Sequence, residues 1–543
     1  MTARAIATFA ERAGRPLLMG RCWAVSSGHS LASWAGARVL ERGGSAADAA
    51  VAVAAALNVV EPHMSGIGGD LFALVYEAGT STVWAVNGTG PAPLDATPER
   101  FRDGIPERGP LAASVPAAAR AWDLLVQRWG RLPLSITLAP AIELARDGFP
   151  VSHNLATYIE TYADVLASYP ETARTFLPTG SPPCPGDVLR QPDLARTLET
   201  VAAEGVNALY EGDLAERLTR AVLAAGGLLT RESLRLARAT IVEPLQLAYR
   251  DWIICVPPPN SSAHTLLEML GILQYFPLAR WRPLSPELLH VMIEAKKLAF
   301  LDRERFTGDP DFVGPFPPDV LAPERLQQLA AAIDLTRAKP VLTTRPARED
   351  HTTSFSVMDH EGNLVVVTAS LNMAFGSAFI AGDTGILLNN RMTYWHLEPK
   401  HPNQLQPGKR VRHTLSPVLL TRPGERLGLG TPGSDAQVQI LVHVLVHWLE
   451  YGFDLQTAIE LPRWRHRGPG HESNWPHGSL DLVQVEGRLP NATIEGLQAR
   501  GHRVERLARW GPIGSCQGIH WRDAERVVEA AADPRSDAYA LAW

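Results

Sequence analysis

The period of the apolar residues changes along the chain and divides it into three stretches. Residues 31–41 place apolar side chains at helical spacing and stop at Gly43-Gly44, and Ser45 can cap the alanine-rich run 46–60 as a second helix. Gly66, Gly68 and Gly69 then lead into Leu71-Phe72-Ala73-Leu74-Val75-Tyr76, which reads as a strand. A phosphate-binding glycine loop needs the opposite order, strand before helix, so these glycines predict tight backbone packing instead. Helical spacing dominates from residue 112 to about residue 306, with breaks at 178–186 and at Pro257-Pro258-Pro259. Residues 315–349 are rich in proline and arginine, hold one helical piece near 324–333, and end in the polar segment 343–349, expected to be an exposed loop. At His351 the pattern turns to strands. Residues 352–359 and Leu364-Val365-Val366-Val367-Thr368 flank the turn Glu361-Gly362-Asn363, which predicts a β-hairpin. Strands at both ends around a helical middle predict an α+β fold.

Composition narrows the function classes. The 543 residues can bury a large core, as several domains or as one large unit. With 51 basic and 57 acidic residues the net charge is −6, which gives no reason to expect nucleic acid or an anionic membrane as partner. Cys22, Cys184, Cys255 and Cys516 are far apart, and form neither a metal motif nor a disulfide framework. Residues 1–20 carry Arg4, Glu11, Arg12 and Arg15 without a continuous apolar run, and no stretch reaches the length of a membrane span. The expectation is a cytoplasmic protein with thiols in a reducing compartment.

The hairpin carries the candidate chemistry. A threonine inside a chain is a poor nucleophile, whereas one at a new chain terminus has its own α-amine as general base. Cleavage between His351 and Thr352 would create such a residue, whose hydroxyl would first attack the His351 carbonyl and then serve turnover. The exposed polar segment ahead of it fits a processing site.

Long motifs in order carry a resemblance. They are Thr352 to Asp359; Leu371-Asn372-Met373-Ala374-Phe375-Gly376; the run 381–390; Val60-Glu61-Pro62-His63-Met64-Ser65-Gly66-Ile67-Gly68-Gly69; Pro257-Pro258-Pro259-Asn260-Ser261-Ser262; Gly308 to Val313; and Ala532 to Asp537. Over nearly its whole length the chain resembles the γ-glutamyltransferase family of N-terminal nucleophile hydrolases. The resemblance implies a four-layer αββα sandwich formed jointly by two autoproteolytic chains, residues 1–351 and 352–543, which stay associated. It implies Thr352 as nucleophile, and backbone N–H groups of Gly433 and Ser434 as the oxyanion hole within Gly430-Thr431-Pro432-Gly433-Ser434-Asp435. Ser370 and Asn372 align with the family's threonine and asparagine that hold nucleophile and substrate.

Departures from the family pattern bear on substrate. Thr89 stands where γ-glutamyl enzymes use arginine for the α-carboxylate, and Tyr394 lies near the aspartate that holds the α-amine. His413 and Thr414 replace a serine pair. A zwitterionic γ-glutamyl group would lose its buried ionic partners, which is costly. Arg391, Arg410 and Arg412 are new cations nearby, and Arg391 is the expected partner of a substrate carboxylate, with Tyr394 and Trp395 narrowing the pocket. A small substrate with one carboxylate and one amide fits this exchange, and the oxamate amidohydrolase branch, which releases ammonia and oxalate in purine-nitrogen catabolism, fits best. A γ-glutamyl hydrolase or transpeptidase, a glutaryl- or cephalosporin-type acylase, and a non-catalytic binding homologue are the alternatives. No cofactor or metal is expected: Trp464 to His471 lacks a carboxylate or cysteine at zinc spacing and reads as a solvated basic loop.

Overall fold

The computed structural model describes residues 14–344, 351–468 and 473–543. Residues 345–349 of the expected exposed loop 343–349 and residues 469–471 of the expected basic loop 464–471 lie outside the described residues, as do residues 1–13. The predicted hairpin is present: His351–Met358 pairs antiparallel with Leu364–Asn372. Its turn depends on Gly362 at φ 83° and on the Asp359 carboxylate, which accepts the N–H groups of Glu361 and Asn363, both at 3.0 Å.

The hairpin is the centre of an antiparallel seven-stranded sheet in the order Tyr539–Ala542, Ala24–Ser27, His351–Met358, Leu364–Asn372, Asp70–Glu77, Thr82–Gly88, Thr240–Val242. A second seven-stranded sheet runs Leu18–Gly20, Val527–Ala532, Gln517–Arg522, Glu425–Gly430, Val418–Arg422, Trp252–Val256, Leu245–Tyr249. Strand alternation sorts the side chains between layers. Phe355 and Val357 pack into the core shared with helices Ser30–Glu41 and Ala46–Val60. Met358, Leu364 and Val366 meet Leu419, Ile519 and Val528 between the sheets. Helices His264–Leu273, Pro286–Phe306 and Gln437–Tyr451 cover the other face of the second sheet. The result is an αββα sandwich. Gly430 permits the two sheets to approach at the site end, since a Cβ there would lie 1.8 Å from Ser354 Oγ.

Ala46–Val60 positions the site. Ser45 and Asp48 close a capping box at its start, and every residue of the helix is buried, which small alanines allow without crowding. It ends at Glu61, whose successor Pro62 cannot continue the ladder, so the Glu61 carboxyl is delivered to the end of the hairpin.

Two sequence expectations change. The helical middle is interrupted by Thr240–Val242, Leu245–Tyr249 and Trp252–Val256. Their local pattern is too short to read, and Trp252–Val256 owes its place to pairing with Val418–Arg422, distant in sequence. Trp464–His466 is a strand with Trp464 and His466 buried, paired with Val483–Val485, not a solvated loop. Both sheets take strands from before and after His351, so neither side of that bond holds a complete sheet. All four cysteines are unpaired, and among the described residues no helix is long and apolar enough to cross a membrane.

Candidate active site

The bond between His351 and Thr352 lies at an irregularity. His351 pairs with Asn372, but the next pair is Thr353 with Ala369, so the partner strand carries an extra residue beside Thr352. In that bulge Ser370 Oγ accepts the Asn372 N–H at 2.7 Å and lies 2.7 Å from the His351 carbonyl oxygen. With the N–H on one lone pair, the hydroxyl proton is directed to that carbonyl. Ser370 therefore donates to the carbonyl oxygen of the His351–Thr352 peptide bond. Asn372 itself takes φ 88°, which asparagine tolerates, and its Nδ2 lies 3.0 Å from the Asn390 carbonyl and 2.9 Å from Asn474 Oδ1. It ties two loops to the strand end.

Thr352 is buried but lines a cavity of about 140 Å³ together with Gly28, Glu61, Thr353, Gly433 and Ser434. Gly433 at φ 127° and Ser434 at φ 52° turn the chain into Ser434–Ala436 and then into the 15-residue helix Gln437–Tyr451. Their N–H groups thus lie at a helix entrance, where a developing negative charge is favoured. Asp435 is fixed by an ion pair with Arg303 and by the Ser473 N–H at 2.9 Å. Ser434 holds a left-handed conformation that glycine adopts without strain. Ser434→Gly should therefore keep turnover within about 3-fold, because the backbone N–H is retained. Steady-state kinetics of this variant beside the native enzyme check this.

Glu61 is the site residue that sequence reasoning missed, although it stood inside a quoted motif. It accepts the Thr353 hydroxyl at 2.8 Å, and burial pushes its carboxyl up to about 7, against the pull of that hydrogen bond. Its isolated position at the end of an apolar helix was the available signal. The sign of the pH effect follows: the unfolded chain loses this proton near the ordinary value of 4.5, the folded chain near 7. The stability present below 4.5 is lost as pH rises through 7, on the order of 3 kcal/mol. In a Thr352→Ala background, which keeps one chain, the thermal midpoint should fall between pH 5 and 8, and Glu61→Gln should flatten that fall.

The cavity lining also carries cations beside Asp435: Lys296, Arg465 and Arg467. Lys296 Nζ donates to the carbonyls of His466 and Gly468 at 3.0 and 2.7 Å, and Arg465 Nε donates to Gln484 Oε1 at 2.6 Å. His466, buried beside these cations, is held down at about 4 and pairs with Asp481 at 3.0 Å.

Thr89, Arg391, His413 and Thr414 are brought together, but around Asp70 and not among the residues lining the cavity. Asp70 sits opposite Ser370 in the sheet. Arg391 is fully buried, with Nε 3.3 Å from Asp70 Oδ2 and its guanidinium 4.5 Å from the centre of the Tyr394 ring. His413 Nε2 is 3.7 Å from the same carboxylate, Thr414 meets the Tyr394 hydroxyl at 3.1 Å, and Thr89 Oγ1 donates to Asn87 at 2.7 Å. Burial raises Asp70 to about 6 despite Arg391. The expected carboxylate partner is thus engaged by an internal carboxylate. The reason was hidden in the sequence: Asp70 and Arg391 are 321 residues apart. Tyr394 and Trp395 are fully buried and fill this region. Arg412 faces Glu304 at 3.0 Å, and the Arg410 N–H donates to Asp309.

Among the described residues two groups of side chains could hold a metal ion, His290 with Glu294 and His502, and Glu304 with His396 and His401. In the first, His290 Nδ1 already meets His502 Nε2 at 2.8 Å and Glu294 meets Lys297 at 2.7 Å. In the second, Arg412 contacts Glu304. Neither group lines the cavity.

An αββα sandwich of two stacked sheets, with a threonine near the end of a central strand lining one cavity with a glycine turn at a helix entrance, is the architecture of N-terminal nucleophile hydrolases. The profile of the gamma-glutamyltranspeptidase family matches residues 32–543, and the chain belongs to that family. It is 38% identical over 525 residues to the glutathione hydrolase-like YwrD proenzyme of Bacillus subtilis, covering 95% of this chain and 98% of that one. It is 34% identical over 524 residues to the oxamate amidohydrolase proenzyme of Klebsiella pneumoniae, covering 95% and 97%. Among solved structures, the cephalosporin acylase of Bacillus halodurans superposes with a TM-score of 0.89 at 32% identity, covering 100% of this chain and 99% of that one.

Proposed function

We propose that the chain is a self-processing amidohydrolase that cuts itself after His351 and then hydrolyses the amide of a small carboxylate substrate, oxamate first among them, through an acyl-enzyme on Thr352. The observation that carries the reading is the Ser370 hydroxyl on the His351 carbonyl at a bulged strand end. In maturation Thr352 Oγ adds to that carbonyl, the C–N bond breaks, and water resolves the ester. In turnover the freed α-amine takes the Thr352 hydroxyl proton as Oγ attacks the substrate amide, and the Gly433 and Ser434 N–H groups receive the oxyanion. The departing nitrogen leaves as ammonia or an amine, and water deacylates the enzyme.

Three features support a small acid as substrate. The cavity is small, the γ-glutamyl positions hold Thr89 and Tyr394, and a relative of nearly equal length is named for oxamate. The carboxylate partner in this reading shifts from Arg391 to the wall formed by Arg465 and Arg467. That same wall, with the likeness to a cephalosporin acylase, favours a dicarboxylic side chain such as glutaryl as the second reading. Parallel assays of the mature enzyme on oxamate, a γ-glutamyl anilide and a glutaryl amide decide between them. Ammonia from oxamate with little turnover of the other two is the expected result; a glutaryl amide turned over faster than oxamate gives the second reading first place. Preference for the γ-glutamyl anilide overturns both.

A further inference from the structure

Glu61 is a buried carboxyl that the mechanism above does not use. It lines the same cavity as Thr352, and it grips the next residue of the strand through Thr353 Oγ1 at 2.8 Å. Space is reserved for it: a Cβ on Gly28 would lie 2.6 and 3.0 Å from its two carboxylate oxygens and 2.8 Å from Thr353 Oγ1. A buried carboxyl whose side-chain partner among the described residues is one hydroxyl is costly in a purely structural role, where an amide or an apolar side chain of similar size would do.

We propose that Glu61 carries the proton between Thr352 Oγ and the Thr352 α-nitrogen during self-cleavage, directly or through one water in the cavity. This inference rests on the reading of Thr352 as the self-cleaving nucleophile. As Oγ bonds to the His351 carbonyl carbon, its proton passes to the Glu61 carboxylate. When the C–N bond breaks, Glu61 returns that proton to the leaving nitrogen, so the proton count closes and Glu61 ends as it began. The oxyanion formed between these events sits on the Ser370 hydroxyl.

The titrating neighbours of Glu61 come from several elements. Asp537 raises it from the C-terminal segment. His29, before the first helix, and His63, just after the second, are both held low by burial. His351 and Tyr158 meet at 3.3 Å beside the cavity, and Lys296, Arg465 and Asp435 lie elsewhere on its wall. Burial places Glu61 at about 7, so it can both accept and donate a proton near neutrality.

The test follows cleavage of the full-length chain, made by cell-free translation, by intact mass between pH 5.5 and 9. The expected native rate rises with pH and bends near 7. Glu61→Gln should cleave about 10²-fold more slowly with the bend lost, and Glu61→Asp should keep the bend at a reduced rate. Thr353→Val, which removes the anchoring hydroxyl, should slow cleavage less than Glu61→Gln. A Glu61→Gln chain that cleaves at the native rate with the native profile overturns the inference, and so does a Glu61→Asp chain that loses the bend while cleaving. A native chain that never cleaves at Thr352 overturns the underlying reading instead.

Discussion

Thr352→Ala is expected to remain a single chain of 543 residues and to lose at least about 10³-fold of the native turnover on oxamate. One hydroxyl serves both reactions, so both disappear together. The side chain is small and sits at a strand end, so the fold should survive, which a native-like thermal midpoint of the uncut chain would show. Thr352→Ser, which keeps a hydroxyl and can expose the same α-amine, should still cut itself and retain measurable turnover. Separate losses, with cleavage surviving in the alanine variant, would assign maturation to another residue. Intact mass and ammonia release on the same preparations read both effects.

The second large effect concerns stability. Arg391→Ala leaves Asp70 buried without the guanidinium that faces it, next to His413, which burial and nearby arginines hold neutral. Breaking a buried pair from one side costs about 3–5 kcal/mol, most of it from the stranded charge. Urea denaturation in the Thr352→Ala background should show that loss, and Asp70→Asn added to Arg391→Ala should restore more than half of it. The Asp70 N–H acceptor role toward the Gly90 backbone at 2.8 Å remains open to the asparagine carbonyl. An Arg391→Ala enzyme of unchanged stability but sharply raised KM for oxamate would instead make Arg391 a substrate contact.

These two residues also mark what the sequence could and could not convey. The hairpin that carries Thr352 was legible because its signal is local: alternation and a turn at Gly362. The Ser45 cap of Ala46–Val60 and the strand Asp70–Glu77 were legible for the same reason. Arg391 was legible as a cation near the site, but not as the partner of Asp70, because pairing is set by register between strands and loops far apart in sequence. The strand Trp252–Val256 was missed on the same ground, since its partner begins at Val418. Trp464–His466 looked solvated because Arg465 and the adjacent Arg467 dominate the local composition, while Trp464 and His466 are buried. Glu61 was visible as a letter in a motif, yet its chemistry comes from burial and from Thr353, neither of which a single sequence displays. The bulge at Thr352, and with it the Ser370 contact to the His351 carbonyl, exists only in three dimensions.

Whether this strand end is a cleavage site that becomes a catalytic centre is read most directly from the intact mass and N-terminal residue of the protein purified from cells. Two co-purifying chains divided between His351 and Thr352, with threonine at the start of the second, are the expected result. A single uncut chain that releases ammonia from oxamate, or two chains divided at another bond, would contradict it.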